Sequence, residues 1–456
     1  LARTGTNPNE TILNPGNVNT TSFGLLFTMP IVGRVYGQPL VVSGLTIQGA
    51  AHNVVYVATE QSMVYAFDAD TGTQLWSRTL ETPVTLGTGA VFNPGCADMG
   101  SGAATYPVGV TATPVIDVGA GLIYVVNRTT GMHMLHALSL TTGDDGPAAT
   151  VVGPAAGFDS DMQLNRPGLL LLDGVVYIAF GSNCDAGTYK GWIFGHDATT
   201  LALKISYTTE PSGSQGAIWQ GGVGLSSDGT NVWFAVGNGT QGTGGNVGFS
   251  VVEATPSATA LTNTAVAEIP ETGDNDLSVG AVLTGDYVLS GGKDGNVLLL
   301  NQADDTLVQA VSVGGEVHNV ATWNAGAAGQ FVYAWGAGAS LMSWTITGGM
   351  LTNQTENSEQ QPGHPGGIIT VSSDGTTASS GIVWANIPTS GDAWHATAPG
   401  ALYAFNASDV SKPSLWNSTL EGGDFGTFAK FSPPTVANGK VYVATFSNTV
   451  NVYGLK

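Results

Sequence analysis

Apolar and polar residues alternate in short runs along this chain, and the runs recur. In VVYVATEQSMVYAFDADTGTQLW, which begins at Val54, two alternating segments are separated by a polar break, and DADTG precedes a further strand containing Trp76. Short period-2 runs rich in Val and Tyr, bounded by Asp, Thr and Gly, predict strands joined by tight turns. The second half of the stretch is echoed by MLHALSLTTGDDG at Met134, IFGHDATTLALK at Ile193, SVVEATPSATAL at Ser250, VLLLNQADDTLV at Val297, LMSWTITGGMLT at Leu341 and LYAFNASDVSKPSLW at Leu402. Ahead of most copies stands a strand, a turn and a strand carrying Tyr or Trp, as in TPVIDVGAGLIYVVN from Thr113, PGLLLLDGVVYIAF from Pro167, GVGLSSDGTNVWFAV from Gly222 and PPTVANGKVYVATF from Pro433. Each repeat therefore holds four strands, and no window sustains the 3.6-residue period of a helix.

Repeats roughly 45 to 70 residues apart suit the blades of a propeller better than a single sandwich. Seven complete pairs of third and fourth strands are visible, and VNVYGLK supplies a third strand without its outer partner. The apolar segment FGLLFTMPIVG, residues 23–33, can provide that partner. Pairing it there would remove two exposed strand edges. The expected fold is all-β: a single eight-bladed β-propeller of four-stranded antiparallel blades over residues 1–456, closed by its N- and C-terminal strands, with 1–22 as an N-terminal extension.

The motif VYAFDADTGTQLW, with LYAFNASDVSKPSLW near the other end, resembles the repeat of the pyrroloquinoline-quinone-like propellers, the quinoprotein alcohol dehydrogenase-like superfamily. The resemblance covers essentially the whole chain as repeats. It implies either a quinone-dependent dehydrogenase, in which calcium polarises the quinone carbonyl, or a cofactor-free scaffold. The motif residues themselves read as architecture. Asp68 and Asp70 can bind turn amides, Gly72 accepts positive φ, and Trp76 can cover a seam between blades. A calcium loop at DADTG would need further oxygen ligands and a terminal Glu, which Gln74, Leu75 and Trp76 do not supply. Tyr56, Tyr124, Tyr177, Trp233 and Tyr442 recur at matching positions and are expected to pack between blades.

Charge narrows the choice of partners. With 12 Lys and Arg against 33 Asp and Glu, the net charge is −21, which disfavours nucleic acid and anionic membrane surfaces. No apolar run approaches the roughly 20 residues needed to span a bilayer. Only 10% of residues are charged and 65 are Gly, so Thr, Ser, Asn and Gly must cover the surface, as in extracellular β proteins. The opening LARTGTNPNE suits a mature secreted form. Sequons at Asn9, Asn19, Asn127, Asn238, Asn353, Asn406 and Asn417 are compatible with glycosylation. Cys96 and Cys184, both in Gly-rich loops, are expected to form one disulfide in an oxidising compartment. A secreted, extracellular monomer is the expectation.

Chemistry is expected where loops lead into the first strand of each blade and line a central funnel. Reading those positions gives Tyr36 and Gln38, Thr111 and Thr113, Asn165 and Arg166, Trp219 and Gln220, Asp276 and Ser278, His318 and Asn319, His364, and Lys430, Phe431 and Ser432. Trp394 and His395 stand on a long Gly-rich loop and could overhang the funnel. Arg166 suits a carboxylate or a quinone oxygen. His318 and His364 suit a general base, hydrogen bonds to a sugar, or metal ligation. Trp219, Trp394 and Phe431 offer walls for a sugar ring or a planar cofactor.

Three functions fit this inventory. The first is a quinoprotein-like oxidoreductase acting on an alcohol or sugar, with the quinone and calcium implied by the resemblance. Cys96 and Cys184 cannot form the vicinal pair of many larger relatives, a CxxCH haem motif is lacking, and the sequence assigns no metal-ligand set. The second is a carbohydrate lyase, with His318 or His364 as base and Arg166 neutralising a substrate carboxylate. Hydrolysis fits less well, because Asp276 is the one obvious carboxyl among these positions. The third is a non-catalytic binding or scaffold propeller. Arg166, His318 and His364 carry the catalytic expectation, and a small molecule or carbohydrate is the expected ligand.

Overall fold

The computed structural model describes residues 1–86, 106–183, 185, 187–270, 273–394, 396–422 and 425–456. The fold is an eight-bladed β-propeller of small antiparallel sheets, and helix is limited to three short 3₁₀ turns among the described residues. The chain divides into two compact units of four blades each. One unit comprises residues 1–2 and 32–281 and holds blades 1 to 4, at residues 40–79, 115–151, 163–208 and 226–268. The other comprises residues 3–31 and 282–456 and holds blades 5 to 8. Blades 5, 6 and 7 span residues 282–312, 320–357 and 368–417, and blade 8 combines 435–455 with an earlier strand.

Burial explains the hydrophobic pattern. The middle strands bury both faces against adjacent blades, so Ala50–Ala58 ends in five consecutive buried residues. Outer strands have one free face and alternate, as in Gln74–Thr79, where Trp76 is buried between more exposed neighbours. In the first unit, Tyr56 and Trp76 of blade 1 pack with Ile123, Val125, Leu138 and Leu140 of blade 2. The Tyr56 hydroxyl and the Trp76 indole N–H both donate to the Leu140 carbonyl, at 2.8 and 3.0 Å. Tyr124 makes the corresponding bond to Ala198 in blade 3 at 2.8 Å, and Tyr333 of blade 6 bonds Ala407 of blade 7 at 2.6 Å. These polar tips reach their partners without opening the apolar seam.

The DADTG turn is a blade corner. Asp68 Oδ1 accepts the amides of Asp70 and Thr71 and the Thr71 hydroxyl, and Gly72 has φ +74°. Asp197 caps the corner of blade 3 in the same way, accepting from Thr199 and Thr200, with Leu201 at φ +58° in the place of the glycine. The short carboxylate thus substitutes for the strand hydrogen bonds lost at the reversal.

Blade 8 is completed as expected: Phe23–Pro30 pairs antiparallel with Thr449–Leu455. The preceding residues depart from a simple extension. Thr6–Asn7 adds a parallel fifth strand to blade 7, and Gln163–Leu164 adds a fifth strand to blade 3. Glu10 is buried, its carboxylate accepting amides from Ile12, Leu13 and Gly439.

Two expected glycan acceptors are corrected. Asn127 is fully buried in blade 2, its amide donating to Ser62 Oγ and the Glu81 carbonyl. Asn417 is buried too, its Oδ1 accepting from Thr419 as a cap. Neither can carry a glycan in the folded chain. The expected pair Cys96 and Cys184 lies outside the described residues.

Candidate functional site

In the second unit, three loops leading into first strands converge. Glu316 and His318 precede Val320–Asn324 of blade 6, His364 precedes Ile368–Ser372 of blade 7, and Phe431 precedes Thr435–Ala437 of blade 8. Trp394 comes from the connection between Ile382–Pro388 and Gly400–Asn406 of blade 7. Glycine permits this approach. A Cβ on Gly315 would stand 1.8 Å from the Ala337 carbonyl oxygen, and one on Gly363 would stand 2.3 Å from that of Gly391. Only a residue without Cβ lets these backbones meet.

One carboxylate joins the two histidines. Glu316 Oε2 is 3.0 Å from His364 Nδ1 and 3.4 Å from His318 Nε2. The imidazoles meet edge to face with centroids 4.8 Å apart, and Phe431 closes against both. His364 also stacks on Trp394 at 5.2 Å and 21°. His318, His364 and Phe431 are buried, whereas Trp394 is 44% exposed. The exposed ring suits recognition of a sugar or another flat ligand. Hydrogen bonds from His318 and His364 hold the Glu316 carboxyl well below the usual carboxylate range, against the opposing effect of burial.

The loop before blade 8 is braced from behind. Lys430 is buried, donates to the Trp394 carbonyl at 2.6 Å, and lies 5.8 Å from the Phe431 ring centroid. The Asn386 amide donates to the carbonyls of Ala429 and Ser432. Phe431 has φ +66°, a left-handed conformation unfavourable for an aromatic residue. Backbone strain of this kind concentrates at functional sites. Asn319, expected to contact ligand, instead accepts the Ile369 amide at 2.8 Å and ties blade 6 to blade 7.

The first unit holds a different cluster. Glu60, at the end of the second strand of blade 1, is 2% exposed and accepts the Gly109 amide at 2.8 Å, while its Oε1 has no hydrogen-bond partner. Burial pushes this carboxyl up to about 7, opposed by the nearby Thr111 hydroxyl, by the Gly109 amide and by the charges of Arg166 and Arg128. Tyr36 is buried and raised by burial first and by Glu60 second. Arg166 is buried in the same unit, within electrostatic reach of Glu60 and Tyr36.

Most of the remaining expected positions in this unit have structural partners, whereas the buried Trp219 indole N–H has none. Asn165 donates to the Ala179 carbonyl, Gln220 to that of Gly224, and Asp276 accepts the Asn238 amide. Thr113 Oγ1 accepts the Gln38 amide, and Trp219 is half-buried. His395 lies outside the described residues. Sequence reasoning missed Glu316 and Glu60, although Glu316 stands two residues before His318 in GEVHNVA.

The Glu60 titration makes a testable contribution to stability. Between its ordinary value of 4.5 and about 7, the folded chain keeps a proton that the unfolded chain has released. Stability therefore falls as pH rises through that window, by up to about 3 kcal/mol from this group. Glu210, raised to about 7 mainly by burial, adds a slope of the same sign. Glu60→Gln is expected to flatten the pH dependence of the urea midpoint between pH 4.5 and 7 without abolishing it. An unchanged slope would show that Glu60 is not protonated in the folded state.

Neither a protein-family model nor a curated protein sequence matches the chain. Solved structures do. Quinohemoprotein alcohol dehydrogenase from Comamonas testosteroni superposes with a TM-score of 0.65 at 15% identity, over 99% of this chain and 79% of that one. The europium-containing methanol dehydrogenase gives 0.58 at 12% identity over 100% and 96%. The fold is that of the quinoprotein-like propellers. BamB from Moraxella catarrhalis shares it at a TM-score of 0.58 and 13% identity, over 95% of this chain and 98% of that one. Because the alcohol dehydrogenases and BamB match alike, this fold does not by itself choose an activity.

A quinone–calcium pair can be tested against the second unit's donors. Calcium takes oxygen ligands, six to eight of them. Among the described residues, one group of three potential metal-ligating side chains comes together, and it offers two imidazole nitrogens and one carboxylate. A quinone–calcium pair does not fit that set.

Proposed function

We propose that this quinoprotein-like propeller is an oxidoreductase acting on an alcohol or sugar at Glu316, His318 and His364. The observation that carries the reading is one carboxylate held within hydrogen-bonding reach of two buried imidazoles, beside the exposed Trp394. The alcohol dehydrogenases and methanol dehydrogenase that share the fold support oxidation as the reaction. The substrate's hydroxyl proton is lost at the histidine cluster, where Glu316 stabilises the positive charge that develops on imidazole. The hydrogen on the carbinol carbon would leave with its electron pair as hydride to a diffusible quinone-class acceptor supplied as a co-substrate, not to a resident quinone–calcium pair. Carbonyl product and reduced acceptor account for both electrons.

The test is reduction of a redox dye by purified protein with a quinone acceptor and a panel of alcohols and aldoses. Substrate-dependent dye reduction is expected, and silence across the panel would overturn the assignment. Carbohydrate elimination is the second reading, with a histidine of the cluster as base and Lys430, beside Phe431, as the cation once its ammonium exchanges the Trp394 carbonyl for a substrate carboxylate. An ultraviolet rise on a uronate polysaccharide would establish that alternative. Secretion and glycosylation at Asn9, Asn19, Asn238, Asn353 or Asn406 are part of the proposal and are tested by mass spectrometry of the native protein.

A further inference from the structure

The geometry points to Glu316, His318 and His364 as a binding site for a divalent transition-metal cation of the zinc class. Their ligand atoms, one from each side chain, all lie within 4.8 Å of one another. The two nitrogen-to-oxygen separations are 3.0 and 3.4 Å. Ligands about 2.0 to 2.1 Å from a tetrahedral ion stand roughly 3.3 to 3.4 Å apart, so the Glu316–His318 edge already has the dimension of a coordination shell, the Glu316–His364 edge would widen slightly, and the widest separation, up to 4.8 Å, would close as the side chains turn onto the ion. Binding would exchange the hydrogen bonds to Oε2 for metal bonds with small side-chain movements.

The ligands are also pre-positioned. Phe431 packs against both imidazoles and Trp394 stacks on His364, restricting ring rotation. The His364 carbonyl accepts the Ala393 amide at 3.0 Å, and Asn319, next to His318, ties its loop to Ile369. Two imidazoles and one carboxylate select zinc-class ions over calcium or magnesium. Three protein ligands leave a coordination position for an exogenous oxygen, the pattern of catalytic rather than structural zinc sites.

The role of the ion rests on the oxidation proposed above. In its open position the cation would bind the substrate hydroxyl oxygen and lower its pKa, with the proton passing to water. The hydride would leave to the quinone-class acceptor as before. The histidines then act as ligands, and activation of the hydroxyl by the cation replaces imidazole as the means of deprotonation.

Chelator-treated full-length protein would be titrated with Zn²⁺ and, separately, Co²⁺. One Zn²⁺ per chain is expected by calorimetry, with visible d–d absorption on Co²⁺ binding and no binding of Ca²⁺ at equal concentration. Glu316→Ala and His364→Ala should each weaken zinc binding by more than about a hundredfold, exceeding the usual cost of removing an outer-shell partner. His136→Gln removes a separate histidine–carboxylate contact, with Glu81 at 2.8 Å, and should leave affinity unchanged. Absence of stoichiometric Zn²⁺ binding, or equal binding by His364→Ala, would overturn the site. Dehydrogenation that persists in chelator would then leave the oxidoreductase reading standing. Zinc binding with no dehydrogenation would sustain the site and remove that reading.

Discussion

His364→Ala is expected to lower substrate-dependent dye reduction by about a hundred- to ten-thousand-fold, the usual range for losing a positioned acid–base group. The side chain contacts the Glu316 carboxylate and stacks on the Trp394 ring, so its removal disconnects the charged group from the exposed aromatic surface. His364 is buried among polar and aromatic neighbours rather than in an aliphatic seam, so the variant should keep its β-sheet circular dichroism. Trp394→Ala provides the contrast. It should raise KM more than it lowers kcat, because an exposed ring can bind substrate without touching the proton in transit. Equal kcat values for His364→Ala and the unmodified chain would remove this cluster from the chemistry.

For stability, the largest expected effect is at Trp384. This residue is fully buried in the cluster that joins blades 7 and 8, with Leu402, Trp416, Val441, Val443 and Tyr453. Its indole N–H donates to Ser372 Oγ at 2.8 Å, and its ring lies 5.4 Å from Phe23 in the strand that completes blade 8. Trp384→Ala should cost about 3 to 5 kcal/mol, because a rigid seam between two sheets cannot collapse to fill the void. Trp384→Phe should cost less, since it keeps most of the ring volume. Urea denaturation followed by circular dichroism checks both, and a loss below about 1 kcal/mol for the alanine variant would show that the seam relaxes.

The repeat was legible because blade corners are local. The carboxylate of Asp68 reaches amides two and three residues ahead, so the same turn chemistry is visible at Asp197 in the sequence. The position before each first strand was equally readable, and it brought out His318, His364, Lys430 and Phe431, which the second unit assembles. Glu316 was less conspicuous. A glutamate between glycine and valine resembles a solvated turn residue, and its contact with His364 depends on how blades 6 and 7 pack across a sequence separation of 48.

Long-range burial likewise hid Glu60. The Gly109 amide that it binds is 49 residues away and belongs to another blade's approach loop. Asn127 shows the converse limit, since a sequon records residue types and not whether the amide faces water. Arg166 precedes a strand as the other expected positions do, but its burial near Glu60 and Tyr36 depends on packing between segments far apart in the chain.

The pairing of Phe23–Pro30 with Thr449–Leu455 also governs the order in which the protein can be made. The first of these strands leaves the ribosome long before its partner, and Phe23 and Met29, buried in the finished blade, must wait without the neighbour that orders them. Contacts of such separation form late and leave partly folded chains prone to wrong pairing. A circular permutant that makes the two strands consecutive should refold faster than the natural order, with a smaller aggregated fraction.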